Sequence, residues 1–381
     1  MYMTVNEPEA LKTGKKRIAI VTGGDSSELV ISLKSAEQVR LNLDEGKYEP
    51  FIVYIRENDW HIVAGSDAEE KIPVNRDNFS FEKDGQTRHF DYAFIALHGP
   101  PGEDGQLQAY LDDLGIPYSS SGARSLELSF DKFATKEIIR KAGILTADAV
   151  LIRKDGNGDG EGDGDRDGNG GGGTDPGRQA SGASAEWKII AGDRASDYEP
   201  GLVIDSVGLP CFIKPNAGGS SFGVSRINRA GQLEAAIQKA LKEDDEVLVE
   251  TCLAGRELTC GLLKTGSREF IFPVTEIISK NEFFDYEAKY TAGMAEEVTP
   301  AEIPDELAEK CREVSSRIYD LLDCRGLVRI DFINHEEDLY FLELNGVPGM
   351  SIESIIPRMI RTMGYTEAEI YNLIIEDTAG W

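Results

Sequence analysis

Positive charge is scarce in this chain: 40 lysines and arginines stand against 68 aspartates and glutamates, a net charge of -28. That balance argues against a nucleic-acid or anionic-membrane partner recognised through a broad basic surface. Any phosphate-bearing ligand must instead meet a local positive field. Cysteine is sparse too. The five cysteines, at 211, 252, 260, 311 and 324, are odd in number and lack CxxC spacing, which speaks against a disulfide framework or a zinc site and for reduced, buried thiols. No run approaches the roughly 20 apolar residues of a membrane span. The first residues, MYMTVNEPEALKTGKK, lack the apolar core of a signal peptide, so a cytoplasmic location is expected. Neither GxxxxGK[ST] nor the GxGxxG spacing occurs, so both common nucleotide fingerprints are missing.

What is present suffices for two or three domains: 381 residues with 40% hydrophobic content. RIAIVT at 17–22 reads as a strand running into Gly23-Gly24, with helical spacing from 32 to 43. Further strands are expected at 49–55 and 92–97 and a helix over 105–114. Ligands of such α/β sheets gather at strand carboxyl ends, which here carry GGDSSE and HGPPGEDG. FDKFATKEIIRKAG reads as one helix stopped at Gly143. The glycine and aspartate tract that follows, about 155–186, cannot bury apolar area and is expected to be a disordered insertion. A calcium loop starting at Asp155 is disfavoured, because Arg166 stands where an EF-hand needs Glu.

Beyond the tract, Gly218-Gly219-Ser220-Ser221-Phe222-Gly223 lies between the strand-like runs FIKP and VSRI. Its backbone N–H groups could cradle phosphate, although a glycine-serine hairpin is more often only a turn. Lys214 closes an apolar strand beside this loop, where phosphate oxygens are what its charge would meet. Taken singly, Lys132 reads as a solvated surface lysine and His98 as a satisfied strand-end histidine, while Glu250, ending EVLVE, and Glu257, in the turn after it, read equally as polar strand-end residues or as acceptors for an exocyclic amine and a ribose.

The strongest signal is RGLVRIDFINHEEDLYFLELNGVPGM. Alternation predicts two strands, 327–333 and 340–345, joined by a polar turn. Arg329 and Asp331 then share one face, as do Glu343 and Asn345, with Leu342 and Leu344 opposite. A turn centred near Glu337 sets Asp331 across from Glu343. Two facing carboxylates repel, so a cation is expected near them. Hard oxygen ligands of this kind suit magnesium shared with substrate phosphates. An exposed salt-bridged face would account for Arg329 with Asp331 but not for Glu343.

The segments GGDSSELVISL, LHGPPGEDGQLQAYLDDLGIPYSSSG, DKFATK, CFIKPNAGGSSFGVS, VETCLAGRELT, FFDYEAKY, RIDF and LELNGVPGMS, taken in order, resemble the D-alanine–D-alanine ligase family of the ATP-grasp superfamily. The resemblance implies an α/β chain, α+β in its C-terminal half. A Rossmann-like pre-ATP-grasp domain (1–120), binding the first D-alanine, would be followed by a two-lobed ATP-grasp fold, with a central subdomain (121–249) and a C-terminal one (250–381). It implies that ATP is held by Lys132, Lys214, Gly219, Ser221, Glu250, Leu253, Glu257 and Lys289. Asp331, Glu343 and Asn345 would bind two magnesium ions, with manganese able to substitute. Glu28 would hold the ammonium of the first D-alanine near His98 and form a closing group with Ser220 and Tyr290. Arg329 and the Gly349 N–H would stabilise the reacting species, and Ser354 and Ile355 would bind the second D-alanine's carboxylate.

The activity so implied is ATP-dependent joining of two D-alanines through a D-alanyl phosphate, for peptidoglycan precursors. A homodimer with small-molecule substrates is implied, with neither a nucleic acid nor a membrane as partner. FFDYEAKY is the expected lid. Two alternatives stand beside this: a D-alanine–D-lactate ligase, which Tyr290 disfavours, and a non-catalytic nucleotide-binding regulator. Two positions depart from the family pattern. Val30 stands where many relatives have a second acid, and Gly346 where they have Thr, which is expected to loosen the segment after Asn345.

Overall fold

Short β-rich runs between positions 16 and 95, punctuated by turn residues and one helix, fold into one sheet. The structure, a computed structural model, describes residues 14–24, 28–64, 70–154, 187–192, 194–219, 222–279 and 295–381. These form two compact units, 1–146 with 254–381, and 147–253.

In the first unit, β1 (Lys16–Gly23), β2 (Tyr48–Arg56), β3 (Asp59–Ala64), β4 (Glu70–Asn75), β5 (Ser80–Lys83), β6 (Gln86–His89) and β7 (Tyr92–Ile95) form a seven-stranded sheet in the order β6-β5-β4-β3-β2-β1-β7. β1 runs parallel to β2 and β7. Its middle, Ile18 to Val21, is apolar because both faces are covered. Ile18 and Ile20 join Ala36 and Val39 of α1 (Leu29–Asn42) in one core, while Ala19 and Val21 join Leu107 and Leu111 of α2 (Gln106–Leu114) in another. Gly23 ends β1 at φ 110°, and a Cβ there would lie 2.2 Å from the Ile55 carbonyl oxygen, so glycine is required for the turn toward GGDSSE. Strands β3 to β6 were not expected from the sequence; turns at Glu57, Asp84 and Gly85, all at positive φ, cut their alternation into pieces too short to read.

The single helix expected around DKFATK is two, α3 (Ala123–Phe130) and α4 (Lys132–Lys141). Asp131 separates them with an extended backbone and caps α4 by accepting the Ala134 N–H at 2.9 Å.

The second unit holds β8 (Ala149–Lys154), β9 (Trp187–Ala191), β10 (Arg194–Asp197), β11 (Cys211–Pro215), β12 (Ser225–Ile227) and β13 (Glu246–Thr251), antiparallel in the order β10-β9-β8-β13-β11-β12. Val150, Ile152, Ile213, Val247 and Val249 bury one face against α5 (Pro200–Val207) and α6 (Leu233–Ala240). β11 and β12 are the expected strands flanking the glycine loop.

The first unit closes with β14 (Arg256–Lys264), β15 (Glu269–Ile271), β16 (Thr275–Ser279), β17 (Ala295–Val298), α7 (Asp305–Leu321), β18 (Gly326–His335), β19 (Asp338–Asn345), α8 (Ile355–Thr362) and α9 (Glu367–Thr378). The sheet order is β17-β16-β14-β18-β19, with β15 on β14. Val328, Ile330 and Phe332 pack against Cys311, Ile318 and Tyr319, which leaves the opposite face of β18 for Arg329 and Asp331.

The expected hairpin exists, with longer strands and a turn of only Glu336-Glu337. Continuous pairing across so short a turn would set Asp331 opposite Leu342. A bulge between Asp331 and Phe332 corrects this, so that Asp331 pairs with Glu343 and Phe332 with Phe341. Leu342 is the extra residue. It does not share a face with Leu344, as the sequence suggested; Leu339, Phe341 and Leu344 enter the core instead. Among the described residues no helix is long and apolar enough to cross a membrane.

Candidate active site

Period-two alternation places Arg329, Asp331, Glu343 and Asn345 on one face of the β18–β19 ribbon, and the middle strand of the sheet adds a residue the sequence reading passed over. Thr259 of β14 lies directly opposite Asp331 and donates its hydroxyl to Oδ1 at 2.5 Å. Its only sequence signal was its position within ELTCGLL, since a cross-strand partner 72 residues away leaves no local trace. The Arg329 guanidinium grips the same carboxylate at both edges, Nε to Oδ1 at 2.9 Å and Nη2 to Oδ2 at 2.8 Å. The Asn345 amide donates to Oδ2 at 3.0 Å.

Asp331 is buried at 5% exposure, so these donors hold it as the anion. Burial alone would push the Arg329 guanidinium down, but the charge and hydrogen bonds of Asp331, then Glu343 and Glu103, outweigh it and hold Arg329 above its ordinary range. Glu103, of HGPPGEDG, was likewise not singled out from sequence; its Oε2 accepts the Gly99 N–H at 2.8 Å. Arg329 thus pairs directly with Asp331 and acts on Glu343 only through its charge. Among the described residues no cluster of three or more His, Cys, Asp or Glu is arranged to hold a metal. The ribbon's donor set, two carboxylates and an amide oxygen, fits a hard divalent ion that takes its other ligands from phosphate and water.

The segment after Asn345 is fixed from several sides. His98, buried at the end of the β7 run, bonds the Val347 carbonyl through Nδ1 at 2.8 Å and Ser35 Oγ through Nε2 at 3.2 Å. On sequence alone His98 read as a satisfied strand-end histidine, and it is satisfied. Gly346 is not a loosened link. It is buried, and a Cβ on it would lie 2.2 Å from Leu126 Cδ2, so the missing side chain is space taken by α3. Gly349 lies against Ser354, whose Oγ a Cβ at 349 would meet at 2.8 Å. Ser354 stands just before α8 with no side-chain cap bond, its hydroxyl paired with Ser351 at 2.8 Å. The first backbone N–H groups of α8, beginning at Ile355, therefore offer the start of a helix to an anion. Glu28 immediately precedes α1, where its carbonyl accepts the N–H groups of Ile31 and Ser32. Lys132 opens α4. Glu257, expected in a turn, is in β14, paired with Ile277 and Ile333.

In the second unit, β11 and β13 bring together two residues that the sequence had treated separately. Glu250 pairs with Phe212, which puts Lys214 two residues along the same face. Lys214 Nζ meets Glu250 Oε1 at 2.5 Å, both side chains being buried. Gly219 belongs to the glycine loop, rooted where the Ala217 N–H donates to Asp244 at 2.6 Å. Leu253 ends this unit, half-buried. Ser220, Ser221, Lys289, Tyr290, the FFDYEAKY lid and the glycine-aspartate tract lie outside the described residues. Four of the five thiols are chemically quiet: burial pushes Cys260, Cys311 and Cys324 up to about 12 and Cys211 up to about 11.

The chain matches the family models "D-ala D-ala ligase N-terminus" over residues 17–121 and "D-ala D-ala ligase C-terminus" over 183–376. It is 41% identical to D-alanine–D-alanine ligase from Phocaeicola vulgatus, covering 95% of this chain and 99% of that one. Among solved structures it is similar to the VanG D-Ala:D-Ser ligase from Enterococcus faecalis, with a TM-score of 0.76, 27% identity and coverage of 95% and 99%. The D-alanine–D-alanine ligase from Bacillus anthracis complexed with ATP matches with a TM-score of 0.66, 26% identity and coverage of 95% and 97%. The architecture, an α/β sheet domain followed by antiparallel sheets with a charged ribbon, is that of an ATP-grasp protein. Within that class, the chain belongs to the D-alanine–D-alanine ligase family.

Proposed function

We propose that this protein joins two D-alanine molecules to D-alanyl-D-alanine with conversion of ATP to ADP and phosphate, supplying peptidoglycan precursors. The observation that carries the reading is the buried ribbon group, Arg329 clamped on Asp331 opposite Glu343, in a chain of this family. A carboxylate does not condense with an amine in water. The first D-alanine's carboxylate therefore attacks the γ-phosphate, releasing ADP, and the resulting acyl phosphate is attacked by the second D-alanine's amine with loss of phosphate. Positioning and charge neutralisation supply most of the rate in such transfers.

Each residue then takes a role. Glu28 binds the first ammonium, with His98 nearby and Ser220 and Tyr290 completing the closing group. Arg329 and the Gly349 N–H face the charge that develops at phosphoryl and carbonyl oxygens. Ser354 and the Ile355 N–H at the start of α8 hold the second carboxylate. Lys132, Lys214, Gly219, Ser221 and Lys289 hold ATP phosphates, while Glu250, Leu253 and Glu257 hold adenine and ribose. Asp331, Glu343 and Asn345 would hold divalent ions, two magnesium ions with manganese as a substitute, which when bound neutralise phosphoryl charge. We further propose three functional parts, 1–120, 121–249 and 250–381, a cytoplasmic location and a homodimer, the last checked by light scattering in solution.

The test is ADP release from purified protein supplied with ATP, magnesium and D-alanine, with the product identified by mass. D-alanine-dependent ADP with the dipeptide mass is expected. Ester formation with D-lactate at neutral pH would reassign the second substrate, and no ADP above background from folded protein would leave a nucleotide-binding regulator.

A further inference from the structure

Helix α1 carries more than Glu28. Ser32 and Ser35 follow it at four and seven residues, the spacing of a single helix stripe, and both are fully buried. The Ser32 hydroxyl accepts the His98 backbone N–H at 3.0 Å. Ser35 Oγ lies 3.2 Å from His98 Nε2 and accepts the Met350 N–H at 3.1 Å. At the far side of the ring, Nδ1 meets the Val347 carbonyl at 2.8 Å. A carbonyl oxygen can only accept, so the proton is on Nδ1. In the neutral ring Nε2 is then an acceptor, and the Ser35 hydroxyl must donate to it. That hydroxyl is used twice, giving its proton to His98 and taking one from Met350. The Tyr371 hydroxyl adds a bond to the Met350 carbonyl at 3.3 Å.

We infer that Ser35 is a positioning residue for acyl transfer: through His98 and Met350 it fixes the 347–350 segment, and hence the Gly349 N–H, against the helix that presents Glu28. The two ends of the first D-alanine, its ammonium at Glu28 and its reacting carbonyl at Gly349, are thereby set at a fixed separation by one buried hydroxyl. This rests on the function proposed above. A misplacement of the oxyanion donor by about 1 Å is enough to cost on the order of 100-fold in rate, so the role is testable without any loss of folding.

Ser35→Ala, purified as the full chain, is compared with wild type for kcat, for KM of ATP and of D-alanine, and for thermal unfolding. The expected result is a drop in kcat of about 10- to 100-fold, with the ATP KM within about twofold and the protein folded. Because part of the effect of Ser35 runs through His98, the losses of Ser35→Ala and His98→Ala should combine to less than their product, the remainder reflecting the direct Met350 bond, whereas fully independent roles would multiply. Should Ser35→Ala not fold, the wild-type protein still decides. It has four histidines, so ring nitrogen spectra of labelled protein resolve His98, and the Nε2–H form there would overturn the relay. Turnover of Ser35→Ala within about twofold of an active wild type would overturn this inference alone. A wild type with no D-alanine-dependent ADP release would overturn the functional reading and this inference with it.

Discussion

Two buried charge pairs, one in each compact unit, are built in opposite ways. On the β18–β19 ribbon one carboxylate, Asp331, collects four donors: two from Arg329, one from Thr259 and one from Asn345. On β11 and β13, among the described residues, the Lys214 ammonium meets one oxygen of Glu250 at 2.5 Å. Both groups stand on sheets whose other face is packed by helices. The difference lies in how far each charge is free to move. Arginine's planar fork, gripped at both edges by a carboxylate locked in sheet register, keeps its position whatever arrives. A lysine ammonium is a point charge on a flexible stem, so the proposed exchange of Glu250 for a phosphate asks Lys214 only to swing that stem. The ribbon is therefore a fixed frame, and the Lys214–Glu250 pair a movable contact.

The largest effect expected on this view is at Glu343. It is half-buried, opposite Asp331, and outside the clamp that Arg329 makes. Glu343→Gln should lower turnover by about 100- to 1000-fold, the scale of losing one element of transition-state charge stabilisation, while the thermal midpoint stays near that of wild type. Asp331→Asn should lose comparable turnover and in addition up to about 3–5 kcal/mol of stability, because it removes the main countercharge of the buried Arg329 and leaves only Glu343 and Glu103. ADP release and thermal unfolding, measured on both variants, separate the cases. Wild-type turnover in Glu343→Gln would contradict the proposed metal-ligand role.

Lys214→Met comes next. It leaves the Glu250 carboxylate, only 3% exposed, without its lysine, and a loss of about 3–5 kcal/mol is expected. Adding Glu250→Leu should recover most of that stability, since replacing both partners of a buried pair by apolar groups is often neutral, yet ATP-dependent turnover should stay lost. A double variant no more stable than the single one would mean that Lys214 contributes through its stem rather than its charge.

How much of this was legible beforehand divides along the same line. The ribbon's charged face follows from period two, and His98, Lys214 and Glu250 were visible as strand-end residues. Their partners were not. Thr259 reaches Asp331 across β14, the bulge at Leu342 makes that leucine unlike Leu344 although the sequence treats them alike, and Lys214 meets Glu250 only because β11 is paired to β13 in one register. Periodicity specifies which face a residue takes; it carries no information about which strand comes alongside. Strands β3 to β6 escaped for a local reason, being short and interrupted by polar turns at positive φ.

Gly346 sharpens the point, because its sequence reading invoked backbone freedom and the structure shows contact. Leu126, 1% exposed, occupies the space a side chain at 346 would need. Gly346→Ala should destabilise by about 1–3 kcal/mol, the usual cost of overpacking. Leu126→Ala should open a cavity of its own, and the double variant should be more stable than the sum of the two losses predicts, since each relieves the other. Additive losses would return the explanation to backbone freedom.

The smallest effect tests the comparison from outside. Lys34 and Glu353 lie 3.6 Å apart, close to Ser354, but their side chains are 59% and 80% exposed. Water screens such a pair, and ordering two long side chains offsets what attraction remains, so Glu353→Gln should change stability by less than about 0.5 kcal/mol. Turnover should follow suit, because nothing in the Ser351–Ser354 contact depends on that carboxylate. If Glu353→Gln proved as costly as Lys214→Met, burial would not be what separates the two pairs. The distinction between a fixed frame, a movable contact and a solvated pair would then have to rest on something other than desolvation.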